Sequence, residues 1–130
     1  MIAVDTSALM AIVLDEPYAA ACSDAIEAAD ELIISAGTVA ETLIVSARRN
    51  VAEEMVSLIG GLGFEIVSVT PAAARRVASA YSKWGNGVHA AGLNLGDCFA
   101  YEVAREHGCP LLFVGDDFTK TDIESATFAS

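Results

Sequence analysis

Asp5, Glu41, Asp97 and Asp116 stand at comparable joints of the chain, where an apolar run ends or a helix-like run begins. In an alternating α/β fold, strand C-termini and helix N-termini share one edge of the sheet. Residues spread from position 5 to position 116 would then meet in one crevice. Clustered carboxylates without adjacent Lys or Arg cannot all stay ionised unless cations lie among them. Hard oxygens of this kind suit Mg²⁺. The spacing outlines a divalent-metal site that activates water.

Each acid also has a plainer role. Asp5, followed by Thr6-Ser7, can cap the next helix. Thr38-Val39-Ala40-Glu41 matches a capping box, in which Glu reaches back to the cap amide. Asp97 can serve as a first-turn acid after Asn94, and Asp116 can serve a turn after Gly115. Caps and ligands are compatible, because a capping carboxylate keeps its second oxygen free. Thr6 and Ser7 place hydroxyls beside Asp5 that can orient it or a bound water. Asp117 reads as peripheral and Asp122 as a surface or turn acid.

The elements that must position these residues alternate between strand and helix. Ile2 to Asp5, Leu32 to Ser35, Phe64 to Val69 and Leu111 to Val114 read as short buried strands. Helices are expected over Ser7 to Leu14, from Glu16-Pro17 to Ala29, Thr38 to Arg49 and Val51 to Ile59. Two more run from Thr70-Pro71 to Trp84 and from Leu95 to His107. The segment from Gly85 to Gly92 carries too little apolar content to pack, and an edge strand is expected near Ser125 to Phe128. This order implies right-handed crossovers and a three-layer α/β/α sandwich on a central, mostly parallel sheet. Residues 1–130 read as one domain.

Composition narrows the class. Hydrophobic residues make up 54% of the chain, which excludes disorder, yet no apolar run reaches the ~18 residues of a membrane span. No signal-peptide pattern precedes Asp5, and three cysteines without a C-x-x-C pair suggest free thiols in a reducing, cytoplasmic setting. The formal charge of −11 argues against sequence-blind affinity for nucleic acid and favours a basic protein partner. Arg75, Arg76 and Lys83 share one helix, where they form either a solvated face or a phosphate-contacting patch; Tyr81 and Trp84 could pack or stack on a base. No phosphate-cradling glycine loop lies between a strand and a helix.

Together, Val4-Asp5-Thr6-Ser7-Ala8-Leu9, Ala40-Glu41-Thr42, Gly92-Leu93-Asn94-Leu95-Gly96-Asp97-Cys98 and Leu111-Leu112-Phe113-Val114-Gly115-Asp116-Asp117-Phe118 resemble a PIN domain. The closer likeness is to the VapC-type toxins of bacterial toxin–antitoxin pairs. The resemblance implies a PIN-like fold with Asp5, Glu41, Asp97 and Asp116 as its acidic quartet. Asp5, Asp97 and Asp116 would be metal ligands, and Ser7 or Thr6 the polar residue near the first Asp. It also implies Mg²⁺- or Mn²⁺-dependent hydrolysis of RNA by a metal-activated water, a homodimer, and inhibition by an antitoxin with a basic segment.

Two other functions fit parts of the pattern. A haloacid-dehalogenase-like phosphohydrolase would use Gly115-Asp116-Asp117, but its nucleophilic Asp needs a second Asp two residues on, where this chain has Ser7. A non-catalytic module would use the acidic cleft only to receive a basic segment.

Overall fold

A computed structural model of the chain describes residues 1–127. Its four strands are β1 (Ile2–Val4), β2 (Leu32–Ser35), β3 (Glu65–Val67) and β4 (Leu111–Leu112). They form one parallel sheet in the order β3-β2-β1-β4. Six helices surround it: α1 (Thr6–Val13), α2 (Ala19–Ala28), α3 (Ala36–Arg48), α4 (Ala52–Gly61), α5 (Pro71–Trp84) and α6 (Leu95–His107).

Side chains alternate across a strand, and this divides the core in two. Ala3, Ile33 and Leu111 face α5 and α6, where they pack with Val77, Ala80, Cys98 and Val103. Their neighbours Val4, Ile34 and Leu112 face the other way, against Leu9 of α1, Cys22 of α2 and Met55 of α4. Strands apolar on both faces need helices on both sides. The expected three-layer sandwich is the observed one.

Local differences have local causes. β2 pairs with β3 as far as Ser35↔Val67, so the chain passes from strand to helix without a loop. Ser35 therefore caps α3, accepting from the Gly37 N–H at 3.1 Å, and the helix begins two residues before Thr38. The Thr38–Glu41 capping box does not form; Thr38 is buried within the first turn. α2 starts at Ala19, not at Pro17, after a turn in which Asp15 takes φ 52°. Residues 86–90 of the Gly85–Gly92 segment are exposed, as its low apolar content implies, while a few contacts tie the segment back to the fold. Gly85 bridges Leu93, Ala91 N–H donates to His89 Nδ1 at 2.9 Å, and the His89 ring sits edge-on to Trp84. β4 ends at Leu112, and Ser125 forms a single parallel bridge to Leu111. Phe128, the far end of the expected edge strand, lies outside the described residues.

Candidate metal centre and catalytic site

Asp5 follows β1 directly and caps α1. Its Oδ2 accepts from the Ser7 N–H at 3.0 Å and from the Ser7 hydroxyl at 2.6 Å. The Ser7 hydroxyl in turn accepts from the Val114 N–H, just beyond β4, at 3.0 Å. Ser7 thus ties the first acid to the neighbouring strand. Asp5 is only 3% exposed, and its second oxygen, Oδ1, is buried without any hydrogen-bond partner. A buried carboxylate oxygen in that state carries a desolvation penalty that a cation or a proton must relieve.

Asp97 lies in the first turn of α6, the helix leading to β4. It forms a full capping box with Asn94: Asn94 N–H donates to Asp97 Oδ2 at 3.0 Å, and Asp97 N–H donates to Asn94 Oδ1 at 2.8 Å. The plainer reading of this acid is therefore real, and it leaves one carboxylate oxygen outside the box. Burial pushes the Asp97 carboxyl up to about 6, with the charges of Glu41 and Asp117 adding to the rise. Burial likewise pushes Asp5 up to about 7; its bonds from Ser7 oppose the shift, and Asp97 and Glu41 reinforce it.

Glu41 reaches the same edge from the second turn of α3. Thr6 of α1 donates to its Oε1 at 2.7 Å. A side chain at Gly96 of α6 would fall on the Glu41 carboxylate, so these two helices meet at this point. The charge of Glu41 thus acts on both Asp5 and Asp97, and that of Asp97 on Asp5.

Asp116 is exposed on the loop after β4, makes no capping bond to the short turn at Asp117–Lys120, and lines a 630 Å³ cavity with Tyr18, Cys22 and Val114. Of the two adjacent acids it is Asp117, expected to be peripheral, whose charge acts on Asp97. Among the described residues, no three Asp, Glu, His or Cys side chains close around a single point. The arrangement instead presents two carboxylates, Asp5 and Asp97, one of them with an orphaned oxygen. That donor set fits Mg²⁺, which keeps several waters and takes one or two protein carboxylates. It does not suit Zn²⁺, whose structural sites are built from Cys and His. Burial holds the Cys98 thiol near 11, which makes it a poor nucleophile despite its place beside Asp97.

Several other residues singled out by the sequence have partners within the fold. Arg76 donates to buried Glu102 at 2.9 Å and lies 3.3 Å from Glu106, so it clamps α5 to α6. Lys83 lies over the Trp84 ring, and Trp84 Nε1 donates to the Tyr101 hydroxyl at 3.1 Å. The Tyr101 hydroxyl passes on a bond to Asp122 at 2.6 Å, which makes Asp122 an anchor for the C-terminal segment. Sequence reasoning missed Gly96 and Thr42. Neither residue type signals a site, and both matter only through what they touch across the fold.

Comparison with known proteins places this geometry in context. The PIN domain family model matches residues 2–124. Ribonuclease VapC30 of Mycobacterium tuberculosis is 40% identical over 123 residues, covering 92% of this chain and 94% of the relative. Ribonuclease VapC36 of the same organism is 41% identical over 125 residues, 93% of this chain and 90% of its own length. The fold is also that of the crystal structure of M. tuberculosis VapC20, described as a sarcin-ricin loop cleaving toxin, with TM-score 0.78 and 16% identity over 95% of this chain and 96% of that one. A toxin–antitoxin complex from Klebsiella pneumoniae matches with TM-score 0.68 and 17% identity over 94% and 93% of the two chains. With a family match over nearly its whole length and curated relatives at this level of identity, the chain belongs to the PIN-domain family, within its VapC branch.

Proposed function

We propose that this chain is a divalent-cation-dependent endoribonuclease and the toxin of a toxin–antitoxin pair. The observation that carries the reading is the orphaned, buried Oδ1 of Asp5, set beside Asp97 in a chain 40% identical to a protein named as a ribonuclease. Asp5 and Asp97 would hold Mg²⁺ or Mn²⁺. Such an ion supplies charge neutralisation at a phosphodiester and acidifies a water molecule.

The remaining work belongs to the chain's own side chains. Ser7 occupies Oδ2 of Asp5 and leaves Oδ1 as the oxygen that would be free for the ion. Glu41 offers an acceptor across from Asp5 for a proton leaving the attacking water, and its Oε1 is steadied by Thr6. Asp116 and Asp117, on the open side, would adjust the field at the mouth and the approach of the RNA. The surplus of acid over base suits a second partner, an antitoxin whose basic segment enters the cleft and pairs with these carboxylates. We place the active protein in the cytoplasm as a homodimer of one-domain chains. Among the described residues, no helix is long and apolar enough to cross a membrane.

Purified protein incubated with single-stranded RNA and Mg²⁺ should produce discrete fragments with 5′-phosphate ends, and chelation with EDTA should stop it. Cleavage that persists in EDTA, or full activity of both Asp5→Asn and Asp97→Asn, would overturn the proposal.

A further inference from the structure

We propose that Thr42 is a positioning residue, whose buried hydroxyl acts through Thr6 to set the Glu41 carboxylate in place. This rests on the ribonuclease reading only for its kinetic consequence. Thr6 Oγ1 lies 2.7 Å from Glu41 Oε1 and 2.9 Å from Thr42 Oγ1. A threonine hydroxyl has one proton and two lone pairs. Its proton goes to the carboxylate, so at the second contact Thr6 accepts and Thr42 donates. Only one ordering satisfies all three groups: Thr42 to Thr6 to Glu41. Such chains polarise and strengthen their terminal bond.

Glu41 and Thr42 are sequence neighbours and point about 100° apart around the helix axis. The link between them leaves α3, crosses to α1 at Thr6 and returns. Thr42 is fully buried, where a hydroxyl without a partner would be penalised. It is the middle member of a hydroxyl stripe, Thr38, Thr42 and Ser46, spaced four apart and all buried. Ser46 closes on the Leu43 carbonyl at 3.1 Å, and Thr38 Oγ1 has no partner. Only the middle hydroxyl reaches the acids. Valine would fill the same space without any need for a partner, so the hydroxyl at 42 does what packing does not require.

Thr42→Val and Thr42→Ser separate position from packing. Thr42→Val should lower kcat about 10-fold, as for loss of an orienting outer-shell bond, with KM and Tm unchanged. Thr42→Ser should restore kcat. In a Glu41→Gln background, Thr42→Val should have no further effect. Independent of activity, the ¹³C resonance of the Glu41 carboxyl should move in Thr42→Val and not in Thr42→Ser. Equal loss in both Thr42 variants, full additivity with Glu41→Gln, or an unmoved Glu41 resonance would overturn the inference. If the wild-type protein cuts no RNA, the ribonuclease reading fails, and the resonance still decides the role of Thr42.

Discussion

Gly96 lies directly against the Glu41 carboxylate, and any β-carbon there would occupy the space the carboxylate fills. The glycine is in the first turn of α6, one residue before Asp97. It therefore lets the acid of α3 and the acid of α6 share one small region without a wall between them.

Gly96→Ala accordingly separates stability from activity. The obstructed atoms are the far end of a flexible side chain, which can swing away, and alanine favours helix over glycine by up to about 1 kcal/mol. Thermal stability should hold or rise slightly. RNA cleavage should fall by about 10- to 100-fold, the usual range for a misdirected group next to a metal. Unchanged activity would mean that the position of Glu41 does not matter.

The raised carboxyls predict how stability without added metal depends on pH. Folded Asp5 titrates near 7, against an ordinary value of 3.8, and Asp97 is raised to about 6. Between those values the folded protein holds more protons than the unfolded chain, so stability falls as pH rises. The contribution is complete below about 4 and lost as pH passes through about 7. Melting in EDTA should therefore give a lower Tm at pH 8 than at pH 5, and Asp5→Asn should flatten the slope. A Tm that rises across this range in wild type but not in Asp5→Asn would contradict it.

Ser7→Ala removes a hydroxyl that donates to Asp5 and accepts from Val114. Leaving the Val114 amide unpaired should lower stability by about 1–3 kcal/mol. The hydroxyl bond from Ser7 helps hold the Asp5 carboxyl down, so its loss should make Asp5 more basic still, although the bond from the Ser7 N–H remains. The acidic limb of the pH–rate profile should then move to higher pH. A drop in rate that is the same at every pH would show that Ser7 acts in some other way.

Arg75 and Arg76 are neighbours with different tasks. Arg76 bonds a buried Glu102, whereas Arg75 is exposed and makes no ion pair among the described residues. Arg76→Ala should lower Tm, because Glu102 is left buried without its partner, and leave RNA affinity intact. Arg75→Ala should leave Tm unchanged. The reverse pattern would restore a phosphate-binding role to Arg76.

How much of this could be read beforehand follows from where each cause lies. Asp5 and Asp97 were legible because parallel strands of alternating β and α elements put strand ends and helix starts on one edge, whatever the details. For Glu41 the plainer role, a capping box with Thr38, is the part that does not form. Thr38-x-x-Glu41 looks like a cap, but pairing of β2 up to Ser35 starts the helix early and moves Glu41 into the second turn. Two caps three residues apart compete, and tertiary pairing chooses. The Thr42–Thr6–Glu41 chain and the Gly96 contact were not legible, since each joins elements far apart in sequence through ordinary residue types. The exposure of residues 86–90 was legible from their low apolar content, whereas the turn back onto Trp84, made with Gly87 and Gly92 at positive φ, was not.

Calorimetric titration with Mn²⁺ tests most directly whether Asp5 and Asp97 together hold one divalent ion. Because both carboxyls are raised, binding near pH 6 should release about one proton or more, and binding near pH 8.5 almost none. Asp5→Asn and Asp97→Asn should each abolish the binding. Wild-type affinity in either variant, or proton release that does not vary with pH, would contradict a metal centre built on these two residues.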